Sequence, residues 1–247
     1  MTRKARRRSR TGFYHVIIRG IGKQILFEEE ADYMRFLSTL ERYIDEHGIE
    51  IYAYCLMDNH VHMLMRDPLD EIDVFMKKLE GSYAFYFNHK YERVGTLFQE
   101  RYKSEAIESK AYLLVVFRYI LQNPQKTGIS SIEKYPWSSY AETFTKFKRD
   151  GVIHRGFSKF FGSKKMLMKY VHEPNDDKCM EPAAVPISDS GAMKIIRDRL
   201  NIKSGTKLQS YDKDRRDEAL RLLKANGLSV RQIERLTGIN RGVVYRA

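Results

Sequence analysis

The chain has 247 residues, 43% of them hydrophobic and 12% aromatic, enough to bury the core of one large domain or two modest ones. There are 44 Lys and Arg against 32 Asp and Glu, and the net charge of +12 points to a polyanionic partner rather than a cationic one. The two cysteines, Cys55 and Cys179, exclude a disulfide framework and a cysteine metal cluster. No apolar run approaches the roughly 18 residues of a membrane span, so a cytoplasmic location with no membrane partner is expected.

Arg3, Lys4, Arg6, Arg7, Arg8 and Arg10 form a basic arm over residues 1–10. Its charges repel one another, so it is expected to stay disordered until phosphates neutralise it. No apolar stretch follows it, which excludes a secretory signal. Residues 13–20, FYHVIIRG, read as a buried strand ended by Gly20. From 29 to 47, Tyr33, Phe36, Leu37, Leu40, Tyr43 and Ile44 recur at helical spacing, and Gly48 supplies the stop. Residues 50–57 and 60–66 read as strands joined by the short Asp58-Asn59 turn, hence an antiparallel hairpin. A second helix is expected over 70–90, a fourth strand within 98–107, and a third helix over 109–122 that Pro124 should stop.

The order β-α-β-β-α-β predicts an α+β fold of the ferredoxin-like, RRM-like kind, an antiparallel sheet with one added helix after the last strand. Residues 131–172 are aromatic and are read as packing extensions of that domain. Residues 173–191, with three of the six prolines, read as a linker. A compact all-α segment, 192–247, follows.

Strand alternation puts His60 and His62 on one face, with Val61 turned into the core, and two imidazoles side by side make a bidentate metal site. Alone, an H-x-H pattern is more often structural. Tyr119 and Asn123 lie four apart and can share a helix face if the last turn persists. Each alone is more often a core or capping residue. Together with the histidines they suggest a tyrosine nucleophile beside a metal with a third ligand.

The block Asn59-His60-Val61-His62-Met63-Leu64 resembles the His-hydrophobic-His motif of HUH endonucleases. Phe117-Arg118-Tyr119-Ile120-Leu121-Gln122-Asn123-Pro124, followed by Lys126-Thr127-Gly128, is similar to a segment of the single-tyrosine HUH transposases, above all the REP-associated tyrosine transposases. Pro136-Trp137-Ser138-Ser139-Tyr140 matches a further block of that family. The resemblance covers about residues 11–145, and makes 11–172 the catalytic domain with its aromatic extension. It implies His60 and His62 as ligands of Mg²⁺ or Mn²⁺, Asn123 as the third ligand, and Tyr119 as the nucleophile that forms a 5′-phosphotyrosine link. The implied substrate is single-stranded DNA, often carrying a hairpin, cut and rejoined by a monomer or a homodimer.

Arg19, Arg66, Arg101, Lys103 and Arg118 flank the expected sheet and helix and are candidate phosphate contacts, although a solvated charge is the commoner role. Phe98 and Tyr102 are candidates for stacking on unpaired bases. His15, His47, His89, His154 and His172 have no identifiable partner. At the C-terminus, a helix over 212–226, a short helix capped by Ser229, a turn at Thr237–Asn240 and a last helix from Arg241 resemble a helix-turn-helix, with Arg241 and Arg246 on the recognition helix. A small helical bundle is the plainer alternative. Two other functions fit part of the pattern: a non-catalytic nucleic-acid-binding regulator on the same sheet, and a metal hydrolase with a water nucleophile.

Overall fold

The computed structural model describes residues 6–144, 152–153, 162–180, 189–202 and 204–247. The chain divides into two compact units, Met1–Pro182 and Ala183–Ala247. Arg3, Lys4 and His154, named above, lie outside the described residues, as do Phe157, Phe160 and Phe161 of the aromatic segment.

The first unit is built on four strands: β1 (Phe13–Arg19), β2 (Glu50–Met57), β3 (His60–Arg66) and β4 (Lys103–Ile107). Their order across the sheet is β2-β3-β1-β4, and every neighbouring pair is antiparallel. This is the expected α+β, ferredoxin-like sheet. Helices α1 (Glu30–His47) and α2 (Ile72–Lys90) cover one face, and α3 (Lys110–Lys126) covers the other. Coverage on both faces explains why β1 and β2 are apolar nearly throughout instead of alternating.

Each helix starts where the sequence offers a cap. The Asp32 carboxylate accepts the backbone N–H groups of Glu28 and Glu29 at 2.9 and 3.2 Å ahead of α1. Gly48 closes α1 at φ 61°, a left-handed position that a side chain would strain. Phe36 and Leu40 on its inner face are wholly buried, each burial stabilising by about 1.5–3 kcal/mol. The start of α2 shifts from 70 to Ile72 because Asp67 accepts from the backbone N–H of Glu71 and of Ile72, both at 2.9 Å, while Asp70 turns the chain at φ 63°.

Pro124 does not stop α3. The helix runs on to Lys126, and the turn past the proline is held by Thr127, whose N–H and hydroxyl both donate to the Asn123 carbonyl at 3.1 and 2.9 Å. Only one turn follows the missing N–H, so the break expected of a mid-helix proline is not reached. Asn123 thereby stays helical.

The aromatic segment packs against the sheet and α3. Trp137 stacks on Tyr33 at 4.3 Å between centroids, and the main chain beside it bonds to β2 through Leu56 N–H and Trp137 C=O at 2.9 Å. Helices α4 (Tyr140–Phe144) and α5 (Lys164–His172) place Tyr140, Phe144, Leu167 and Val171 in the core beneath α3.

Two expectations are corrected. Residues 6–10 do not hang free: Arg6 pairs with Asp73 at 2.6 Å, Arg8 with Asp70, and Arg7 and Arg10 with Glu108 at 3.9 and 3.5 Å. Acidic side chains of the domain, rather than phosphates, neutralise this part of the arm. Nor is 173–191 a uniform linker. Its first residues are bonded to α3, 181–188 lie outside the described residues, and α6 (Asp189–Leu200) already begins at Asp189.

The second unit is all helical: α6, a 3-10 turn at Gly205–Ser210, α7 (Lys213–Ala225), α8 (Val230–Thr237) and α9 (Arg241–Arg246), around Ile196, Leu208, Leu220, Leu223, Ile233 and Val244. Asp212 caps α7 and Ser229 caps α8 by accepting backbone N–H groups, and Gly238 ends α8 at φ 72°. No helix among the described residues is long and apolar enough to cross a membrane.

Candidate active site

Pairing of β3 with β1 and β2 sets out the site in two rows. Cys55, His62, Ile17 and Lys103 lie side by side across the sheet, and Met57, His60 and Arg19 form the next row. Strand alternation brings both rows to the face covered by α3, while Val61 enters the opposite core with no exposed surface. The His60 and His62 rings are 4.9 Å apart between centroids. From α3, the Tyr119 ring comes within 5.8 Å of the His62 ring. Asn123, one turn on, is buried at 4% exposure.

A third imidazole joins them. His15 lies on the same face of β1, and its Nε2 is 3.0 Å from His62 Nδ1. The His60 Nδ1 in turn is 2.7 Å from the Asn59 side-chain oxygen. If each Nδ1 carries the proton, both Nε2 atoms present lone pairs. The Nε2 of His62 and the Oδ1 of Asn123 are buried with no hydrogen-bond partner. Such orphaned acceptors carry a desolvation penalty that a bound cation relieves. Among the described residues no three His, Cys, Asp or Glu side chains converge to hold a metal.

Electrostatics keep these rings neutral. Burial lowers His15 to about 3. Burial, and then the Arg19 charge, lowers His60 to about 4. His62 is pushed well below its ordinary value by burial and by the neighbouring His15 and His60. Neutral imidazole is the form that ligates metal. Lys126 sits with Nζ 5.0 Å from the centre of the Tyr119 ring, and burial lowers its own pKa.

The family model described as IS200-like transposase matches residues 10–123, from just before β1 to Asn123, and so spans both histidines and Tyr119. Over that segment, a little under half of its length, the chain is similar to IS200-like transposases. Two solved structures are similar to part of the chain. A REP-associated tyrosine transposase bound to a REP hairpin is 16% identical, with a TM-score of 0.49 over 58% of this chain and 85% of that one. A Deinococcus radiodurans R1 protein described as a transposase candidate is 20% identical, with a TM-score of 0.34 over 53% and 99%. No curated protein matches the chain.

Within the first unit the basic candidates separate. Arg19 and Lys103 share the histidine face, flanking His60 and the His62 row. Arg66 lies at the far end of β3, 3.4 Å from Glu50. Arg101 opens onto a different cleft. Arg118 is 9% exposed, bonds to Asp177 at 2.7 Å and stacks 4.1 Å above the Tyr170 ring, which gives it a structural task. Tyr102 is buried, donates to Asp73 at 2.9 Å and is covered by the Arg6 guanidinium. Phe98 packs against the core beside Tyr83. Neither ring is presented for base stacking. Arg241 and Arg246 begin and end α9 in the second unit.

The residue that sequence reasoning passed over is His15. Its signal was present: in this strand order β1 lies beside β3, and His15 shares the parity of Ile17, which pairs with His62. A second unforeseen feature is a strap across α3. Gln122 donates to the carbonyls of Val171 and Glu173 at 2.7 and 3.2 Å and accepts from Asn175 at 2.7 Å. Lys126 reaches Asn175 and the Asp177 carbonyl at 3.1 and 3.2 Å. Arg118, Gln122 and Lys126 stand four apart, one stripe of the helix that bears Tyr119.

Proposed function

We propose that the first unit is a transposase domain that cleaves and rejoins single-stranded DNA with Tyr119 as the covalent nucleophile. The observation that carries the reading is the meeting of the Tyr119 ring with His62 at 5.8 Å, and it is supported by the buried, unsatisfied Nε2 of His62 and Oδ1 of Asn123. The Tyr119 oxygen attacks phosphorus, the bond to the 3′ oxygen breaks, and that oxygen leaves and takes up a proton. The 5′ side stays on the tyrosine. Attack by a 3′-hydroxyl on the phosphotyrosine restores a phosphodiester and frees the phenol, so no nucleotide energy is consumed.

His60, His62 and Asn123 would hold Mg²⁺ or Mn²⁺, which polarises a phosphate oxygen and stabilises the charge of the transition state. His15 holds the His62 ring through Nδ1, and Asn59 does the same for His60. Arg19 and Lys103 flank the histidines where phosphates on either side of the scissile bond would lie. The domain would act as a monomer or a homodimer.

The DNA partner is read from the +12 charge and from the family, and a hairpin substrate is proposed because a REP hairpin occupies a similar solved protein. In the second unit, α8, the Gly238–Asn240 turn and α9 form a helix-turn-helix-like pair, with Arg241 and Arg246 offered to duplex DNA. The rival reading, a regulator that binds without cutting, draws on the 4% exposure of Tyr119. One experiment decides between them. A labelled hairpin oligonucleotide incubated with Mn²⁺ should form an adduct with the wild-type chain that survives denaturation, and Tyr119→Phe should bind the DNA but form none. A wild-type chain that binds and never forms the adduct establishes the regulator.

A further inference from the structure

A second basic site lies on the other side of the sheet. Tyr14 and Ser104 have the strand parity of the α1–α2 face, opposite to His15 and His62, and they line a cleft of 680 Å³ along the edge strand β4. Five cations reach this cleft, Arg6, Arg7, Arg8, Lys77 and Arg101, against one acid, Asp73. They come from three places: the N-terminal arm, α2, and the segment leading into β4.

Some of these charges are already engaged. Arg6 fixes the arm, with Nη1 on Asp73 at 2.6 Å, Nη2 on the Tyr102 carbonyl at 2.9 Å, and its guanidinium 3.8 Å above the Tyr102 ring. Arg8 pairs with Asp70. Arg7 has only a distant contact to Glu108 at 3.9 Å, with its side chain 77% exposed. Lys77 and Arg101 form no ion pair among the described residues. The carboxyl of Glu80, which feels Arg6 and Arg101, is pushed by burial up to about 7, so its charge at neutral pH is reduced.

We infer that this cleft is a second DNA site, which grips the phosphodiester backbone of DNA passing round the β4 edge away from the catalytic face. The inference rests on the reading of the protein as a DNA-cleaving transposase. The cleft is open and its cations come from three separate segments, as suits an extended polyanion such as a nucleic-acid backbone. Phosphate contacts of this kind add affinity and position the strand without reading its sequence. Arg6 serves as the rivet of the arm, and Arg7, Lys77 and Arg101 are the charges offered to phosphate.

The test uses the full chain, the double variant Lys77→Ala/Arg101→Ala, and two fluorescent DNAs. One is a hairpin with single-stranded flanks, about 40 nucleotides long. The other is a single strand of about 8 nucleotides, near the lower range of one binding groove. Anisotropy is followed from low to high salt. For the long DNA, the variant should bind on the order of 10- to 100-fold more weakly near 0.1 M salt, and its log–log salt slope should flatten by about 2. The short strand should bind both proteins alike within about two-fold, since it cannot span both faces at once. The thermal midpoint should be unchanged because both side chains are exposed, and Lys77→Arg/Arg101→Lys should restore binding. An unchanged slope with the long DNA overturns the inference. So does an equal loss with the short strand, which would assign these cations to the catalytic face. Should the wild-type chain form the Tyr119 adduct while the double variant binds like wild type, the second site alone is refuted. A wild-type chain that binds neither DNA refutes the function as well.

Discussion

His15 Nε2 and His62 Nδ1 lie 3.0 Å apart in a fully buried contact between adjacent strands. With His62 Nδ1 donating to His15, the Nε2 of His62 faces the site as a lone pair. His15→Ala should therefore weaken Mn²⁺ binding by about 10- to 100-fold, the usual loss when an outer partner of a metal-binding histidine is removed. His15→Gln, whose side-chain oxygen can accept the same proton, should recover most of it. Titration of Mn²⁺ by electron paramagnetic resonance reads both. Equal affinity in His15→Ala and wild type would mean that the ring is only core.

The same burial makes stability depend on acid. His15 has a folded value of about 3 against an ordinary 6.5. Between those limits the unfolded chain binds the proton and the folded one does not, so stability is intact above 6.5 and declines as pH falls towards 3. The slope per histidine is at most about 1.4 kcal/mol per pH unit. Glu80, raised to about 7 by burial, works in the opposite sense between 4.5 and 7, so the test is a difference. Urea unfolding of wild type and His15→Gln from pH 4.5 to 7.5 should show the variant losing less stability towards acid. Parallel curves would contradict a neutral buried His15.

Asp32 is the anchor of the opposite face. It has no exposed surface, and besides capping α1 it receives Tyr86 at 3.0 Å, Tyr91 at 2.6 Å and Lys90. Burial alone would raise its pKa, but the bonds from Lys90, Tyr91 and Tyr86 hold it below the usual value. Asp32→Asn removes the charge these donors converge on and should cost about 3 kcal/mol, the scale for breaking a buried, hydrogen-bonded charge. Chemical denaturation measures it, and a loss under about 1 kcal/mol would show that the network is replaceable.

Much of this architecture was legible in the residues. The period-two pattern of β3 gave the shared face of His60 and His62, and Gly48 and Ser229 ended or began helices where their chemistry requires. What escaped needed knowledge of neighbours. His15 is an ordinary strand residue until β1 is known to lie beside β3. Pro124 reads as a terminator because its local cost is visible and the bonds of Thr127 are not. Arg118 reads as a free cation because its acid lies 59 residues away, at Asp177. The arm reads as unpaired for the same reason, since its partners Asp70, Asp73 and Glu108 come from other elements.

Arg118 offers the cleanest separation between a phosphate contact and a structural ion pair. Its guanidinium lies one residue before the nucleophile in sequence, yet it is bonded to Asp177 at 2.7 Å and laid on Tyr170. Truncation leaves a largely buried carboxylate without its partner and removes one fixing point of the strap. Arg118→Ala should accordingly lose about 1.5–3 kcal/mol of stability, the range for a charge-assisted hydrogen bond. A lost phosphate contact would instead flatten the salt dependence of DNA binding by about one unit. The expected outcome is an unchanged salt slope together with a lower urea midpoint. Asp177→Asn should shift the midpoint the same way, because it breaks the same pair from the side that no phosphate would approach. A flattened slope with undiminished stability would return Arg118 to the DNA-binding set and leave Asp177 as a competitor for it.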